Sequence, residues 1–298
     1  MMNAALTDPG TAFSLANDSA YQSWRARKLA GYPAEACDLI VPVNDLAHPA
    51  PSEQTALRAM IGRANMAIAA TAQPPDKAGL RLFGKVFGLA HLDHNLYADE
   101  DDISALRVVD GNRQGEYIPY TNRALNWHTD GYYNRLDRQV RALVLCCIRA
   151  AAKGGVNQLL DPEMVYILLR DQSPKHISAL MQPDAMTIPA NIENGVEIRP
   201  AQGGPVFSID AARGSLHMRY TARTRSIEWK PDRATEEAVA ALEKILNSPN
   251  AYILEHRLAP GECLICNNVL HNRSEFSNDT GHERLMYRGR YYDRINEG

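Results

Sequence analysis

The stretch Asn126-Trp127-His128-Thr129-Asp130-Gly131-Tyr132-Tyr133 carries a histidine and an aspartate two positions apart. In a strand, successive side chains point to opposite faces, so His128 and Asp130 would look into one space while Thr129 turns away. An imidazole and a carboxylate aimed at one point make two thirds of the 2-His-1-carboxylate set, which holds non-haem Fe(II) and leaves coordination positions open. A second histidine must come from elsewhere, and of the chain's nine, eight besides His128 are available. His271 stands out because it follows the run Leu264 to Leu270, which reads as a strand late in the chain, where a rolled sheet returns beside its early strands. Further on, Arg284-Leu285-Met286-Tyr287-Arg288 would put Arg284, Met286 and Arg288 on one strand face. Guanidinium groups in a core are costly unless they meet anions, and their planar fork suits carboxylates. Read from the residues alone, a solvated strand face stays open as the alternative.

Other clusters compete. His91-Leu92-Asp93-His94 is a second His-x-Asp, either a metal site or an element end running into the acidic loop Asp99 to Asp102. Cys263-Leu264-Ile265-Cys266 has the spacing of a redox pair or half a zinc site. Without a second such pair and with apolar flanks, it reads as small apolar residues in a strand. Cys146 and Cys147 read as part of a buried strand in the same way. Arg219, Tyr220, Arg223 and Arg225 form a cationic run, which is either a solvated loop, an interface or part of an anion site. Asn126 and Tyr132 flank the His-x-Asp pair and are placed to touch a substrate.

The elements around these residues follow from pattern. The 298 residues suffice for a sizeable core, and a formal net charge of −3 gives no sign of nucleic acid or an anionic membrane as partner. No apolar run approaches the roughly 18 residues of a membrane span. Met1 to Gly10 lacks a charged segment followed by an apolar one, so no signal peptide is expected. Five cysteines without framework spacing fit a reducing, cytoplasmic setting. The first 102 residues read as largely helical: one helix capped by Asp18, and a longer one capped by Ser52 with the stripe Leu57, Met60, Ile61, Ala64 and Ile68. Residues 103–298 read as β-rich. Strands are expected over Val140 to Ile148 and Val156 to Leu160, in a hairpin from Pro205 to Tyr220, and in three closing runs near 252–257, 261–269 and 284–292. Helices start at Asp161-Pro162 and Ser173-Pro174, and another covers Ala234 to Leu246. The pattern is α+β, mainly β: a sandwich or barrel with N-terminal and inserted helices.

The His-x-Asp pair, the Gly154-Gly155 turn, the late His271 and the Arg284-x-x-x-Arg288 strand occur in an order that resembles the taurine dioxygenase-like (TauD/TfdA) family of Fe(II)/2-oxoglutarate oxygenases. The likeness runs from Trp127 to the C-terminus, with a weaker echo in Phe83-Gly84 to His91. It implies one domain over 1–298 with a double-stranded β-helix core, a cupin-like jelly roll. It implies that His128, Asp130 and His271 bind Fe(II) and serve catalysis, that Arg284 pairs with the far carboxylate of the cosubstrate 2-oxoglutarate, and that Arg288 holds an acidic group of the substrate. Asn157 stands where many members have a Thr or Ser touching the same carboxylate, and its amide N–H can donate the same bond. The implied reaction consumes O2 and 2-oxoglutarate, releases succinate and CO2, and hydroxylates a C–H bond of a small anionic or zwitterionic molecule. Related halogenases replace the carboxylate ligand, so Asp130 favours hydroxylation. The alternative is a non-catalytic jelly-roll binding or sensor protein. A homo-oligomer is compatible with either.

Overall fold

In the computed structural model of the chain, the described residues are 11–94, 101–109, 117–210, 213–223 and 227–295. The chain divides into two compact units, each built from separate stretches. One comprises Met1–Tyr32, Trp127–Gln139 and Leu160–Ile253; the other comprises Pro33–Asn126, Val140–Leu159 and Leu254–Gly298. Part of the expected acidic loop, part of the loop before the His-x-Asp pair, the turn at Ala211-Ala212, and Arg225 lie outside the described residues.

The second unit is organised by a six-stranded sheet. Its spatial order is Ile40–Pro42, Met66–Ala70, Glu262–Cys266, Ala142–Arg149, Leu285–Tyr291 and Ser104–Leu106. Only the first pair is parallel. Register alternation gives the sheet two distinct faces. Ala67, Ala69, Val144, Cys146, Cys263 and Ile265 point into a core with Leu57, Ile61, Leu80 and Phe83 from the helices Pro51–Ala64 and Lys77–Val86. Leu145, Cys147, Leu264, Met286 and Arg288 occupy the other face. A second sheet has four strands in the order Leu254–His256, Asn157–Leu160, Leu270–Arg273 and Leu125–His128.

Several expectations are corrected here. The stripe through Ile68 is not one helix. The helix ends at Ala64, and Asn65, in the left-handed conformation with φ 57°, donates its amide to Ile61 O at 2.7 Å. Met66–Ala70 then runs as a strand between two others with Met66 to Ala69 buried, so no period-two signal marks it. Asn17, not Asp18, caps the first helix, accepting from the Ala20 amide at 3.0 Å. Ala50 stands at the next cap with Pro51 behind it, in place of Ser52. Cys146 and Cys263 face each other across neighbouring strands and are joined by a disulfide, while Cys37, Cys147 and Cys266 remain thiols. Their partnership spans 117 positions of chain, beyond the reach of a spacing argument.

The first unit holds the helices Asp18–Gly31, Pro162–Gln172, Pro174–Leu180 and Arg233–Asn247, the last three close to the expected starts. Asp161 caps its helix through the Glu163 amide at 2.8 Å. The first helix docks through Lys28, whose ammonium lies 2.6 Å from both the Asp161 and the Glu163 carboxylates. Burial works against that charge, but the two carboxylates hold its pKa above the ordinary lysine value. The hairpin Phe207–Asp210 with Ser215–Met218 forms as expected. A further hairpin, Asn191–Glu193 with Val196–Arg199, was not foreseen.

Candidate active site

The strand that carries the His-x-Asp pair ends at His128, so Asp130 is not its strand neighbour as expected. Thr129 instead locks onto a passing segment: its amide donates to Tyr220 O at 2.9 Å, and its hydroxyl accepts from the Tyr220 amide at 3.0 Å. His128 forms an isolated backbone bridge with Thr221. Gly131, with φ 66°, then turns the chain. The consequence matches the sequence expectation. Thr129 faces away, and the His128 imidazole and Asp130 carboxylate converge at 3.7 Å, both buried.

His271 also differs from expectation in its setting. The preceding strand stops at Cys266, where Asn267 and Asn268 break the run. Asn268 takes φ 52° and donates to Val140 O, while Asn267 donates to Asn65 Oδ1 at 3.1 Å. The chain restarts as Leu270–Arg273 in the four-stranded sheet, beside Leu125–His128. The Nδ1 of His271 lies 2.9 Å from Val269 O. A carbonyl can only accept, so Nδ1 carries the proton and the lone pair sits on Nε2, the form a metal ligand needs. One potential ligand atom from each of His128, Asp130 and His271 lies within 4.8 Å of the others. Two imidazoles and one carboxylate at this spacing fit Fe(II) by donor type.

The rival pair separates. His91, exposed, pairs with Asp293 at 2.9 Å, whereas Asp93 is buried against Arg290 and accepts from the Tyr292 hydroxyl at 2.7 Å. Asp93 is a structural counter-ion.

In the second unit, a cleft is lined by Cys147, Gly154, Gly155, Asn157, Arg257, Arg284 and Met286 among others. Arg284 and Asn157 therefore share one space. Arg284 precedes its strand, which begins at Leu285 with a register shift, and still reaches the same cleft as Met286. Its guanidinium lies 5.0 Å over the Phe276 ring, and among the described residues no carboxylate pairs with it. Burial lowers its pKa to about 10. A buried cation is costly unless it meets an anion, and the aromatic face offsets only part of that cost. The Gly154-Gly155 turn shapes the wall. Gly154, with φ 70°, leaves room for Glu275 O, which a Cβ would meet at 2.2 Å, and Gly155 packs beside Arg284 Nε. Sequence reading missed two lining residues. Arg257 is a second guanidinium, anchored on Ala151 O, and Cys147 is a thiol that burial raises to about 11. Neither lies in a motif, so only the fold, which brings Cys147 and the segment after Leu254–His256 to one cleft, could reveal them.

Of the expected substrate residues, Arg288 is buried on the sheet face of Met286, Asn126 is exposed on its strand, and Tyr132 is half-buried in the turn after Asp130. The cationic run is divided. Arg219 is 2% exposed and donates to Met186 O and Gln202 O, a structural role, while Arg223 lies near the Tyr132 hydroxyl.

Two imidazoles and one carboxylate brought together are the donor set typical of non-haem Fe(II) oxygenases. The chain belongs to the family of the taurine catabolism dioxygenases TauD and TfdA, whose sequence profile matches residues 27–290. It is 29% identical over 171 residues to a uridine-5'-phosphate dioxygenase of an Amycolatopsis species and 28% identical over 206 residues to one of a Streptomyces species. These matches cover 55% and 65% of this chain, and span 60% and 70% of the two enzymes. The fold is that of solved oxygenases. Asparagine oxygenase in complex with Fe(II), 2S,3S-3-hydroxyasparagine and succinate superposes with a TM-score of 0.58 at 19% identity, covering 80% of this chain and 78% of that one. The non-heme iron oxygenase OrfP with Fe, succinate and (3R,4R)-dihydroxy-L-Arg superposes with a TM-score of 0.60 at 17% identity, covering 95% and 93%. Among the described residues, no helix is long and apolar enough to cross a membrane.

Proposed function

We propose that the chain is an Fe(II)- and 2-oxoglutarate-dependent dioxygenase that hydroxylates a C–H bond of a small anionic substrate, a nucleoside 5'-monophosphate such as uridine 5'-phosphate. The approach of His128, Asp130 and His271 to within 4.8 Å of one another carries the reading. His128, Asp130 and His271 hold the iron in it, with the His271 tautomer fixed by Val269 O. Arg284 and Asn157 hold the far carboxylate of 2-oxoglutarate in the cleft that they share. Arg288, by its place in the family's order of residues, and Asn126 and Tyr132, by flanking the His-x-Asp pair, are the substrate contacts of this reading. Iron bound there supplies O2 activation, with 2-oxoglutarate as the electron donor that leaves as succinate and CO2. The residues themselves orient both substrates and set where each charge sits. The six- and four-stranded sheets are read as the two faces of a double-stranded β-helix. A non-catalytic binding protein is not favoured, because no position of the ligand set has been lost. The nucleotide is chosen over a free amino acid because two curated relatives are named for uridine 5'-phosphate.

The test is succinate release and O2 uptake by the Fe(II)-loaded enzyme with 2-oxoglutarate and, separately, uridine 5'-phosphate, uridine, asparagine or arginine. One succinate per nucleotide consumed is expected. Consumption of an amino acid but not of the nucleotide overturns the substrate, and no visible charge-transfer band with Fe(II) and 2-oxoglutarate under argon overturns the oxygenase.

A further inference from the structure

The turn that follows Asp130 gathers two guanidinium groups that pair with no carboxylate among the described residues. Tyr132 is two residues beyond Asp130, and Arg223 and Thr221 stand close enough to its hydroxyl to act on it. Thr221 is the residue whose backbone bridges His128, and the Ala222 amide donates to Trp127 O at 2.8 Å. The segment bearing Arg223 is thus stitched to the strand that bears the proposed ligand. Tyr133 stacks edge-on against Tyr132 with ring centroids 5.2 Å apart, and the Arg199 guanidinium lies 5.9 Å from the Tyr133 ring centre. Arg199 comes from the far end of the hairpin that ends at that residue, and it spends two of its donors on Pro189 O and Pro200 O. A guanidinium has five N–H donors, so three remain. Burial lowers the Arg199 pKa, and the neighbouring phenols of Tyr132 and Tyr133 oppose that only in part. Among the described residues, no carboxylate pairs with Arg199 or Arg223.

Two guanidinium groups from different elements, converging on a pair of tyrosines, offer donors from several directions. That suits a tetrahedral oxyanion better than a planar carboxylate, which one fork can take by itself. We propose that Arg223, Arg199 and the Tyr132 hydroxyl form the subsite for the phosphate of the substrate, with Arg223 and Arg199 as its specificity-determining residues. The proposal rests on the nucleotide reading given above and moves the anionic anchor from Arg288 to the turn after Asp130. Arg199 has no motif around it and enters only through the fold.

The experiment uses the full chain loaded with Fe(II) and 2-oxoglutarate under argon, in the wild type and in Arg223→Gln, Arg199→Gln and Arg288→Ala. Uridine 5'-phosphate and uridine are titrated, with the visible charge-transfer band as readout, and the 2-oxoglutarate affinity is measured in each variant. Arg223→Gln and Arg199→Gln should each weaken uridine 5'-phosphate by about tenfold or more, the scale of a lost bond to a charged group, while uridine and 2-oxoglutarate bind as before. Equal losses for nucleotide and nucleoside, no loss, or a phosphate-selective loss confined to Arg288→Ala would each overturn the subsite. Should the wild type not bind the nucleotide at all, the substrate reading fails by itself, and inorganic phosphate is titrated instead. Phosphate binding weakened by Arg223→Gln then supports the subsite; binding that the variant leaves unchanged, or none in the wild type, overturns it.

Discussion

At the scale of the residue, two substitutions separate chemistry from packing. His271 is only partly buried, and its ring Nδ1 bonds Val269 O rather than packing in the core. His271→Ala should therefore abolish 2-oxoglutarate turnover and leave the thermal midpoint within a few degrees of the wild type, as read by succinate release and circular dichroism. Turnover at the wild-type rate would remove His271 from the ligand set. Arg284 is different, because its charge is buried and its geometry matters as much as its sign. Arg284→Lys keeps the cation and loses the planar fork, so KM for 2-oxoglutarate should rise by about tenfold or more, the order of one charge-assisted bond. An unchanged KM would mean that another group in the cleft, with Arg257 the first candidate, takes the carboxylate.

The decisive element is the turn at Gly154-Gly155. It pairs with Phe276-Ser277, and the Phe276 ring lies under both Arg273 and Arg284 at 4.8 and 5.0 Å. Both guanidinium groups are pushed down by burial, Arg273 to about 9. The ring and the turn thus hold the charge in a place it would otherwise leave. Gly154→Ala must both hold φ 70° and clear Glu275 O, which a Cβ would meet at 2.2 Å. Gly155→Ala has only its φ of 74° to oppose, since the nearest atom would lie at 3.6 Å. Denaturant unfolding should then rank them. Gly155→Ala should lose on the order of 1 kcal/mol, the lower cost of a strained backbone. Gly154→Ala should lose more, with a raised KM for 2-oxoglutarate because Phe276 must shift. Equal losses in the two variants would show that the close approach to Glu275 carries no weight.

For the whole molecule, the cross-strand disulfide is the feature that sequence spacing most clearly hid. Cys146 and Cys263 close a loop of 117 residues through the middle of the six-stranded sheet. Thiol titration of the denatured, unreduced protein should find three reactive cysteines, Cys37, Cys147 and Cys266. In the chain-entropy account, a loop of this length is worth about 5 kcal/mol, the upper limit of what replacing both partners by Ala should cost. Five thiols in freshly isolated protein would show that the pair is reduced where the protein works, as the cysteine spacing suggests.

What the sequence determined is what is local or ordered along the chain. The His-x-Asp pair was readable because two residues separated by one cannot move far apart, even though Asp130 lies past the strand end. The helix starts at Asp161-Pro162 and near Ala234 were readable because caps act within a single turn. Arg284 and Asn157 were readable because the order of the glycine turn, histidine and arginines resembles a known family, and the cleft does bring the two together. Tertiary structure decided the rest. Ile68 kept helical spacing but joined a sheet, because burial on both faces overrides periodicity. His271 gained its place through Asn268, whose left-handed backbone sends the chain into a second sheet. Arg199, Arg257 and the Cys146–Cys263 pair acquire their surroundings from segments distant in sequence, and no local pattern encodes a neighbour that only folding supplies.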